Sequence, residues 1–261
     1  MAGNFVQLHN HTHYSLLDGA SKVPDLVKRV KELGMPAVGI TDHGNMHGAY
    51  ELWRAAVDSG VKPIIGIEAY VTPETARQDK TRVSWDTNWT PVPGHARNPD
   101  DVSGGGLITH LTMWAENDEG LVNLIKASSV ANLEGRVMRY PRMDKEVLST
   151  YSKGVIASSG CPSGIIQTRL RLGQFDEALR AAGEFQDIFG KDNFYIELMD
   201  HGLSIESKVT GDLLTIAKKL GAPLLATNDS HYVMEADKDA QDAMLCINSG
   251  ATLDDPNRFK F

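Results

Sequence analysis

The sequence predicts an α/β fold in which seven strands, connected mainly by helices, close into a barrel. Short apolar runs alternate with amphipathic stretches from one end of the 261-residue chain to the other. Strands separated by helical crossovers pair mainly in parallel. Seven such units in a chain of this length fit a closed (β/α) barrel better than an open sheet, which stays the alternative. We therefore predict one domain over residues 1–261.

The predicted elements follow one another in a regular order. We predict strands over Phe5–Leu8, Ala37–Thr41, Pro63–Val71, Leu107–Met113, Val155–Ser158, Phe194–Met199 and Leu224–Thr227. We predict helices over Pro24–Leu33, Met46–Ser59, Glu119–Asn132, Ser163–Leu172, Asp176–Phe189, Ile205–Leu220 and Ala236–Ile247. The first helix should end at Gly34, since glycine readily adopts the left-handed conformation that follows many helices. The alternation of the two periodicities supports the α/β class.

One segment interrupts this alternation. Residues 73–106 are rich in Pro, Gly, Asn and Asp and show little periodicity. A loop of this length without regular structure is usually an active-site lid or a mobile insertion. We therefore predict a long loop insertion between the third and fourth strands.

Composition narrows the class of protein. The formal net charge of −8 argues against autonomous tight binding to DNA, because neutralising phosphates needs a basic surface. Two cysteines, Cys161 and Cys246, are too few for a disulfide framework and suit a reducing cytoplasm, and we interpret Cys246 as a packing residue. No apolar run approaches the roughly 18 residues of a membrane span, and the first residues do not resemble a secretory signal. We therefore expect a cytoplasmic protein without membrane contact.

Side chains that bind metals recur where the predicted strands end. The candidates are His9, His11, Asp18, His43, Glu68, His110, Cys161, Asp229 and His231. Taken singly, each is a weak signal, since a lone histidine or cysteine is as often a packing residue. Barrel enzymes build their active sites at the C-terminal ends of the strands, so residues distant in sequence would meet there. The recurrence of ligand residues at most strand ends therefore predicts one metal site at this rim.

The chemistry of these nine residues favours transition metals. Imidazole, carboxylate and a thiolate together suit Zn²⁺, Mn²⁺ or Fe²⁺ better than Mg²⁺ or Ca²⁺. Alternate residues of an extended segment point the same way, which pairs His9 with His11 and Asp229 with His231. Nine ligands are too many for one ion and suffice for two or three. Such ions would leave net positive charge for binding a phosphate.

Four further residues have two interpretations each. His201, with Asp200, follows the sixth predicted strand and either contacts substrate or forms a hydrogen-bonded loop pair. Arg169 and Arg171 either clamp a phosphate or coat the end of a helix. We keep His201 and Arg169 as candidate substrate-binding residues.

The segments around the candidate ligands resemble the motifs of the polymerase-and-histidinol-phosphatase (PHP) family. The motifs are LHNHTHYSLLDG (residues 8–19), GITDHGNM (39–46), PIIGIEAY (63–70) and ATNDSHY (226–232). More narrowly, GCPSG (160–164), ELMDHG (197–202) and DPNRF (255–259) resemble the branch found at the N-terminus of bacterial replicative DNA polymerases. The resemblance covers essentially the whole chain and implies that the chain is part of a longer polymerase.

This resemblance implies a distorted, TIM-like barrel of seven strands that holds three metal ions. By motif, one ion would be held by His9, His11, Glu68 and Asp229. Glu68 would bridge to a second ion held with His110 and Cys161. A third would be held by Asp18, His43 and His231. Asp229, Glu68 and His43 are the residues that we assign to catalysis.

The implied activity is 3′→5′ exonucleolytic hydrolysis of DNA phosphodiesters, which proofreads a 3′ end presented by the rest of the polymerase among other replisome subunits. Two alternatives stay open. One is a stand-alone phosphomonoesterase of the histidinol-phosphatase type. The other is a non-catalytic domain in which the metals stabilise the fold.

Overall fold

The computed structural model describes residues 5–92, 97–256 and 258. Their contacts form two compact units. Unit 1 consists of Met1–Ile67 and Asn228–Phe261, and unit 2 of Glu68–Thr227. The predicted single domain also covers residues 1–4, 93–96, 257 and 259–261, which lie outside the described residues, and it stays a prediction.

Unit 1 is an α/β assembly built on two parallel strands. Its elements are α1 (Val23–Glu32), β1 (Ala37–Ile40), α2 (Ala49–Ser59), the first six residues of β2 (Lys62–Val71), a 3₁₀ turn (Glu235–Asp237) and α9 (Lys238–Ser249). Ala37–Ile40 of β1 pairs in parallel with residues 62–65 of β2. The core combines one face of α1 and α2 with β1 and contains Val23, Leu26, Val27, Val30, Val38, Ile40, Leu52, Ala56 and Val61. The 3.6-residue spacing of the apolar positions in α1 explains why one face of that helix is buried.

The predicted first strand is wrong. Of Phe5–Leu8, only Gln7 forms an isolated bridge to β1, where its carbonyl accepts a hydrogen bond from the Gly39 amide (2.7 Å). Further along, side chains supplement the one backbone bond from the Thr41 amide to the Asn10 carbonyl (3.0 Å). The backbone amide of Asn10 donates to Thr41 Oγ1 (2.9 Å), and Asn10 Nδ2 donates to the Gly39 carbonyl (3.0 Å). A Cβ at Gly39 would collide with the Leu8 carbonyl, so this close approach requires glycine.

Unit 2 contains most of the strands and begins with the last four residues of β2. Its further strands are β3 (Thr109–Ala115), β4 (Arg136–Val137), β5 (Tyr140–Met143), β6 (Val155–Ser158), β7 (Phe194–Leu198) and β8 (Leu224–Ala226). Its helices are α3 (Ser103–Gly106), α4 (Asp118–Glu134), α5 (Lys145–Thr150), α6 (Ile165–Arg171), α7 (Phe175–Phe189) and α8 (Ser204–Leu220). None of the described helices has the length and apolarity that a membrane span requires.

The strands of unit 2 form a mixed, mainly parallel arrangement. Their hydrogen-bonded order is β4-β5-β2-β3-β6-β7-β8, and this path does not close on itself among the described residues. The pairs β2–β5, β6–β7 and β7–β8 are parallel, whereas β3–β6 and β4–β5 are antiparallel. The predicted α/β class is confirmed. The described residues contain eight strands instead of the predicted seven, because the short hairpin β4–β5 is added and Phe5–Leu8 is not a strand.

The insertion at residues 73–106, outside 93–96, has α3 as its helix and otherwise consists mainly of bends, turns and irregular backbone. Buried Asp101 organises it, since its carboxylate accepts hydrogen bonds from Ser84 Oγ (2.5 Å) and the Trp85 amide (3.1 Å). Buried Arg142 of β5 donates to the carbonyls of Arg77 (2.7 Å) and Asp79 (2.6 Å). These bonds tie the insertion to buried side chains of unit 2, and its role as a lid or a mobile insertion stays a prediction.

Candidate metal centre

Six of the nine predicted ligands lie together in unit 1. They are His9, His11, Asp18, His43, Asp229 and His231, and we call them the unit 1 cluster. Two chain segments form its base, because Asn10 and Ser230 are bridged in parallel. The His11 amide donates to the Ser230 carbonyl (2.8 Å), and the Ser230 amide donates to the His9 carbonyl (3.1 Å). Since side chains alternate along an extended backbone, His9 and His11, which flank Asn10, share one face.

The ligand atoms of the unit 1 cluster meet at two carboxylate oxygens. Asp229 Oδ1 lies 3.3 Å from His9 Nε2 and 3.1 Å from His11 Nε2. Asp18 Oδ2 lies 3.1 Å from both His43 Nε2 and His231 Nε2. Ligand atoms of His11, Asp18, His43 and His231 all lie within 4.8 Å of one another. Two groups of donor atoms therefore form within unit 1.

Hydrogen bonding shows which nitrogen of His231 is available as a ligand. His231 Nδ1 lies 2.7 Å from the backbone carbonyl of Asp229. A carbonyl oxygen can only accept, so Nδ1 carries the proton and donates it. In the neutral ring, Nε2 then presents its lone pair to Asp18 Oδ2, which is also an acceptor. Two acceptors 3.1 Å apart repel each other unless a cation or a second ring proton lies between them.

The spacing of these atoms fits metal ligands. Nitrogen and oxygen ligands bind Zn²⁺ at about 2.0–2.2 Å, which places neighbouring ligands about 3.3–3.6 Å apart in a tetrahedral site. The four contacts to Asp18 and Asp229, at 3.1–3.3 Å, are at or slightly below that spacing. Asp18 Oδ2 and Asp229 Oδ1 are also buried atoms without a hydrogen-bond partner of acceptable geometry among the described residues. Buried polar atoms usually have partners, so the unit 1 cluster fits metal ions.

The two carboxylates of the unit 1 cluster are held ionised. Burial acts to raise the pKa of Asp18, but the nearby imidazoles of His231 and His43, when protonated, outweigh it, and the pKa lies well below its usual range. Burial likewise opposes ionisation of Asp229, and the nearby His9, His231 and His11 lower its pKa below the usual range. Neither aspartate forms an ion pair with lysine or arginine in the part of the chain that the structure describes.

Asp229 has an unusual backbone conformation. Its φ is 45°, in the left-handed region that few residues other than glycine adopt, although Asp tolerates it better than most. In this conformation its carbonyl accepts a hydrogen bond from His231 while its carboxylate faces His9 and His11. One residue thereby orients a neighbouring ligand and supplies a ligand atom.

The other three predicted ligands lie together in unit 2. Glu68 is fully buried in β2, and its Oε1 lies 3.1 Å from His110 Nδ1. The same nitrogen lies 3.3 Å from Cys161 Sγ. The loop carrying Cys161 is fixed beside β3, because His110 and Gly164 are bridged and the His110 amide donates to the Ser163 carbonyl (3.0 Å). This triad also combines ligand types that suit a transition metal. Grouping Glu68 with His9, His11 and Asp229 stays a prediction.

The candidate substrate-binding residues already have partners within unit 2. His201 forms a pair with buried Glu206, whose Oε1 lies 2.5 Å from His201 Nδ1 and whose Oε2 accepts from the His201 amide (2.8 Å). Arg169 Nη2 donates to Glu74 Oε2 (2.5 Å), and its guanidinium lies 3.7 Å from the centre of the Trp85 ring. Arg171 is buried and donates to the Pro162 carbonyl (2.5 Å). Their contacts with substrate stay predictions.

Sequence reasoning missed two buried residues behind the unit 1 cluster. Ser15 Oγ contacts His11 Nδ1 (3.0 Å), and Asp42 accepts from that hydroxyl (3.1 Å). The sequence held a signal for Asp42, which stands beside the predicted ligand His43 at the end of an apolar strand. Ser15 had no comparable signal.

Known proteins resemble this chain in sequence. Residues 7–201 match the family model described as the PHP domain. The DNA polymerase III subunit alpha of Mycobacterium leprae is 52% identical over 258 residues, which are 99% of this chain and 21% of that protein. The subunits of the same name from Saccharopolyspora erythraea and Deinococcus radiodurans are 53% and 42% identical over 98% of this chain, which corresponds to 21% and 18% of those proteins. The chain thus spans about a fifth of the length of these curated relatives.

Solved structures resemble the chain more distantly. An amidohydrolase from Chromobacterium violaceum is 14% identical with a TM-score of 0.49, and the match covers 93% of this chain and 97% of that one. At this distance the likeness says nothing about chemistry.

Proposed function

The chain belongs to the PHP domain family, and on that premise we propose that it is the metal-dependent phosphoesterase domain of a bacterial DNA polymerase III alpha subunit. The proposed reaction is 3′→5′ exonucleolytic hydrolysis of DNA phosphodiesters, and the proposed location is the cytoplasm. The observation that carries the proposal is the unit 1 cluster, in which histidine nitrogens and aspartate oxygens lie 3.1–3.3 Å apart.

The proposed cofactors are two or three divalent transition-metal ions, Zn²⁺, Mn²⁺ or Fe²⁺. Within unit 1, His9, His11 and Asp229 would hold one ion, and Asp18, His43 and His231 another. Within unit 2, Glu68, His110 and Cys161 would hold a third. When bound, such ions polarise a phosphoryl oxygen and activate water at neutral pH.

The protein itself contributes orientation and charge. The Asp229 carbonyl keeps the proton of His231 on Nδ1, so that Nε2 faces Asp18. The lowered pKa values of Asp18 and Asp229 keep both side chains anionic at neutral pH. A cluster of this kind attracts cations strongly and repels a phosphate until metal ions reverse its charge. Activity should therefore depend strictly on metal.

The polymerase context of the proposal comes from the relatives. They are about five times longer than this chain, so a DNA 3′ end could be presented by the remaining part of such a protein, with other replisome subunits nearby. The net charge of −8 supports the proposal that another part of the protein presents the DNA, because an acidic domain binds DNA weakly by itself.

Release of product from two kinds of substrate tests the proposal. The purified chain is loaded with Mn²⁺ or Zn²⁺, its metal content is measured, and release of nucleotides from a DNA 3′ end is compared with release of phosphate from small monoesters. We expect metal-dependent nucleotide release that a chelator abolishes. Preferential cleavage of monoesters would favour the histidinol-phosphatase type of enzyme. Bound metal without hydrolysis of either substrate would favour the scaffold alternative.

A further inference from the structure

A single buried hydroxyl, that of Ser15, connects two residues of the unit 1 cluster with Asp42 behind it. Ser15 Oγ lies 3.0 Å from His11 Nδ1, 2.9 Å from the His43 amide nitrogen and 3.1 Å from Asp42 Oδ1. Ser15 is 2% exposed, so these protein groups take the place of water around its hydroxyl. The hydroxyl therefore contacts two predicted ligands: the imidazole ring of His11 and the backbone amide of His43.

The hydrogen-bonding capacity of a hydroxyl fixes the direction of all three bonds. A serine hydroxyl has one proton to donate and two lone pairs to accept with. The Asp42 carboxylate can only accept and the His43 amide can only donate. The proton of Ser15 therefore points to Asp42, and one lone pair accepts from the His43 amide. The second lone pair then accepts from His11 Nδ1, which must carry a proton.

Asp42 is itself held in place by its neighbours. Its Oδ1 accepts from the Thr12 amide (2.6 Å), and its Oδ2 accepts from Thr12 Oγ1 (2.9 Å). Asp42 is 1% exposed, so its carboxylate is oriented by these bonds and not by solvent. Its fixed position sets the direction in which Ser15 donates.

We propose that Ser15, oriented by Asp42, is a positioning residue that keeps the proton of His11 on Nδ1 and so directs Nε2 to a metal ion. Nε2 of His11 faces Asp229 Oδ1 at 3.1 Å, as a ligand pair around one ion would. The same hydroxyl anchors the backbone of His43, so one group serves two ligands. This inference rests on the metal binding of the proposed function, but not on its nuclease activity.

Removal of the hydroxyl gives a direct test. Ser15→Ala is compared with the wild-type chain and with Ser21→Ala, a matched control at a buried serine whose backbone carbonyl, and not its hydroxyl, contacts His13. Zn²⁺ affinity is measured by competition with a chromophoric chelator. We expect Ser15→Ala to bind Zn²⁺ about 10- to 100-fold more weakly, as loss of groups that orient a ligand usually does. Ser21→Ala should bind like the wild type.

The tautomer of His11 is read separately by long-range ¹H–¹⁵N correlation in the metal-free chain at about pH 8, where imidazoles are neutral. We expect the Nδ1–H form in the wild type and a mixture of both tautomers in Ser15→Ala. A purely structural serine would change thermal stability and leave the tautomer alone.

Two results would overturn the inference: wild-type Zn²⁺ affinity in Ser15→Ala, or an unchanged His11 tautomer in that variant. If Ser15→Ala does not fold, Asp42→Asn decides, because it keeps the side-chain shape and weakens the acceptor. It should lower Zn²⁺ affinity in the same direction, and no change would count against the inference. A wild-type chain that binds no Zn²⁺ would refute the proposed metal site, and the tautomer measurement would still test the role of Ser15.

Discussion

Two clusters of charged residues in this molecule neutralise their carboxylates in different ways. In the unit 1 cluster, Asp18 and Asp229 are surrounded by histidines. In unit 2, Glu74 at the start of the insertion contacts cationic side chains, and we call its surroundings the Glu74 cluster. Its members are Glu74, Lys145, Arg169, Arg180 and Glu184.

The Glu74 cluster supplies its own positive charge. Glu74 Oε2 pairs with Arg169 Nη2 (2.5 Å) and Oε1 with Arg180 Nη2 (2.5 Å). Arg180 also pairs with Glu184 (2.6 Å), which forms a further ion pair with Lys145. Burial acts to raise the pKa of Glu74, but Arg180 and Arg169 outweigh it, so the pKa is lowered. The three permanent cations of the cluster thus outnumber its two carboxylates and neutralise them without help from solution.

The unit 1 cluster lacks permanent cations of this kind among the described residues. Its aspartates face imidazole rings, whose positive charge is present only while the ring is protonated and is therefore not permanent. Both clusters lower the pKa of their carboxylates, so a pKa shift alone does not distinguish a structural cluster from a metal site. The source of the positive charge does distinguish them. A structural cluster carries its counterions within the chain, whereas a metal site needs them from solution.

Substitution of Asp229 tests this distinction with the largest expected effect. Asp229→Asn keeps the size of the side chain and removes one negative charge. If the proposed function holds, exonuclease activity should fall on the order of 100-fold or more, because a metal ligand at the reacting centre is lost. The affinity for the ion that Asp229 would hold should also fall. Activity and metal content are measured on the same preparations.

Asp58→Asn is the matched control for that experiment. Asp58 lies on the exposed surface of α2 in the same unit and pairs with Arg54, so the variant loses the same charge away from the cluster. It should keep full activity and full metal content. Unchanged activity in Asp229→Asn would mean that the chemistry lies elsewhere or that a contaminating nuclease was measured.

Removal of metal should lower the free energy of unfolding of the wild-type chain. An ion present at 100 times its Kd stabilises the fold by about 2.7 kcal/mol. For a chain of this size, that corresponds to a Tm increase of roughly 5–10 °C on adding Zn²⁺ or Mn²⁺. Calorimetry of the metal-loaded and chelator-treated chain measures the difference. An identical Tm in both samples would contradict binding of metal by the native state.

The same contrast explains what the sequence could and could not predict. The types and spacing of His9, His11, Asp229 and His231 were readable, since period-2 alternation and strand ends are local properties. The nine candidate ligands could be named, but the sequence could not show that Nδ1 of His231 bonds to the Asp229 carbonyl. That bond depends on the backbone conformation at Asp229, which the sequence does not show. The role of Ser15 could not be predicted either, because its hydroxyl contacts Asp42 and His43, which are distant in sequence.

The fold was predictable to a similar degree. Helices such as α7 and α8 lie within one residue of the predicted bounds, because amphipathic periodicity is strong over four turns. The hairpin β4–β5 was missed, since β4 has two residues and Pro141 weakens the strand pattern of β5. The segment Phe5–Leu8 was overpredicted, because its apolar composition resembles a strand although only Gln7 pairs with β1, through an isolated bridge.

Substitution of Glu74 tests the structural cluster and should have a smaller effect. Glu74→Gln leaves Arg169 and Arg180 without a charged partner, which should cost about 1–3 kcal/mol of unfolding free energy. Metal content and affinity should not change. Glu177→Gln is the control, because Glu177 also pairs with Arg180 but is half exposed, and an exposed pair contributes at most about 1 kcal/mol. Denaturant unfolding of the three chains decides. A loss of bound metal in Glu74→Gln would contradict the interpretation that the Glu74 cluster is purely structural.

The pH dependence of the contribution of Glu74 to unfolding free energy is the smallest effect that we predict. The folded-state pKa of Glu74 is lower than its ordinary value of 4.5, and a depressed carboxyl pKa stabilises the fold only where the unfolded chain would also be ionised. Its contribution is therefore fully present above about pH 4.5 and is lost as pH falls through the folded-state pKa. The free-energy difference between wild type and Glu74→Gln, measured by denaturant unfolding of metal-free chains, should be constant near neutral pH and shrink steadily below about pH 4.5. Taking the difference between two chains cancels the titration of Asp18 and Asp229, which both chains share. A difference that stays constant down to strongly acidic pH would mean that Glu74 acts through its shape and hydrogen bonds, and not as the anion that Arg169 and Arg180 neutralise.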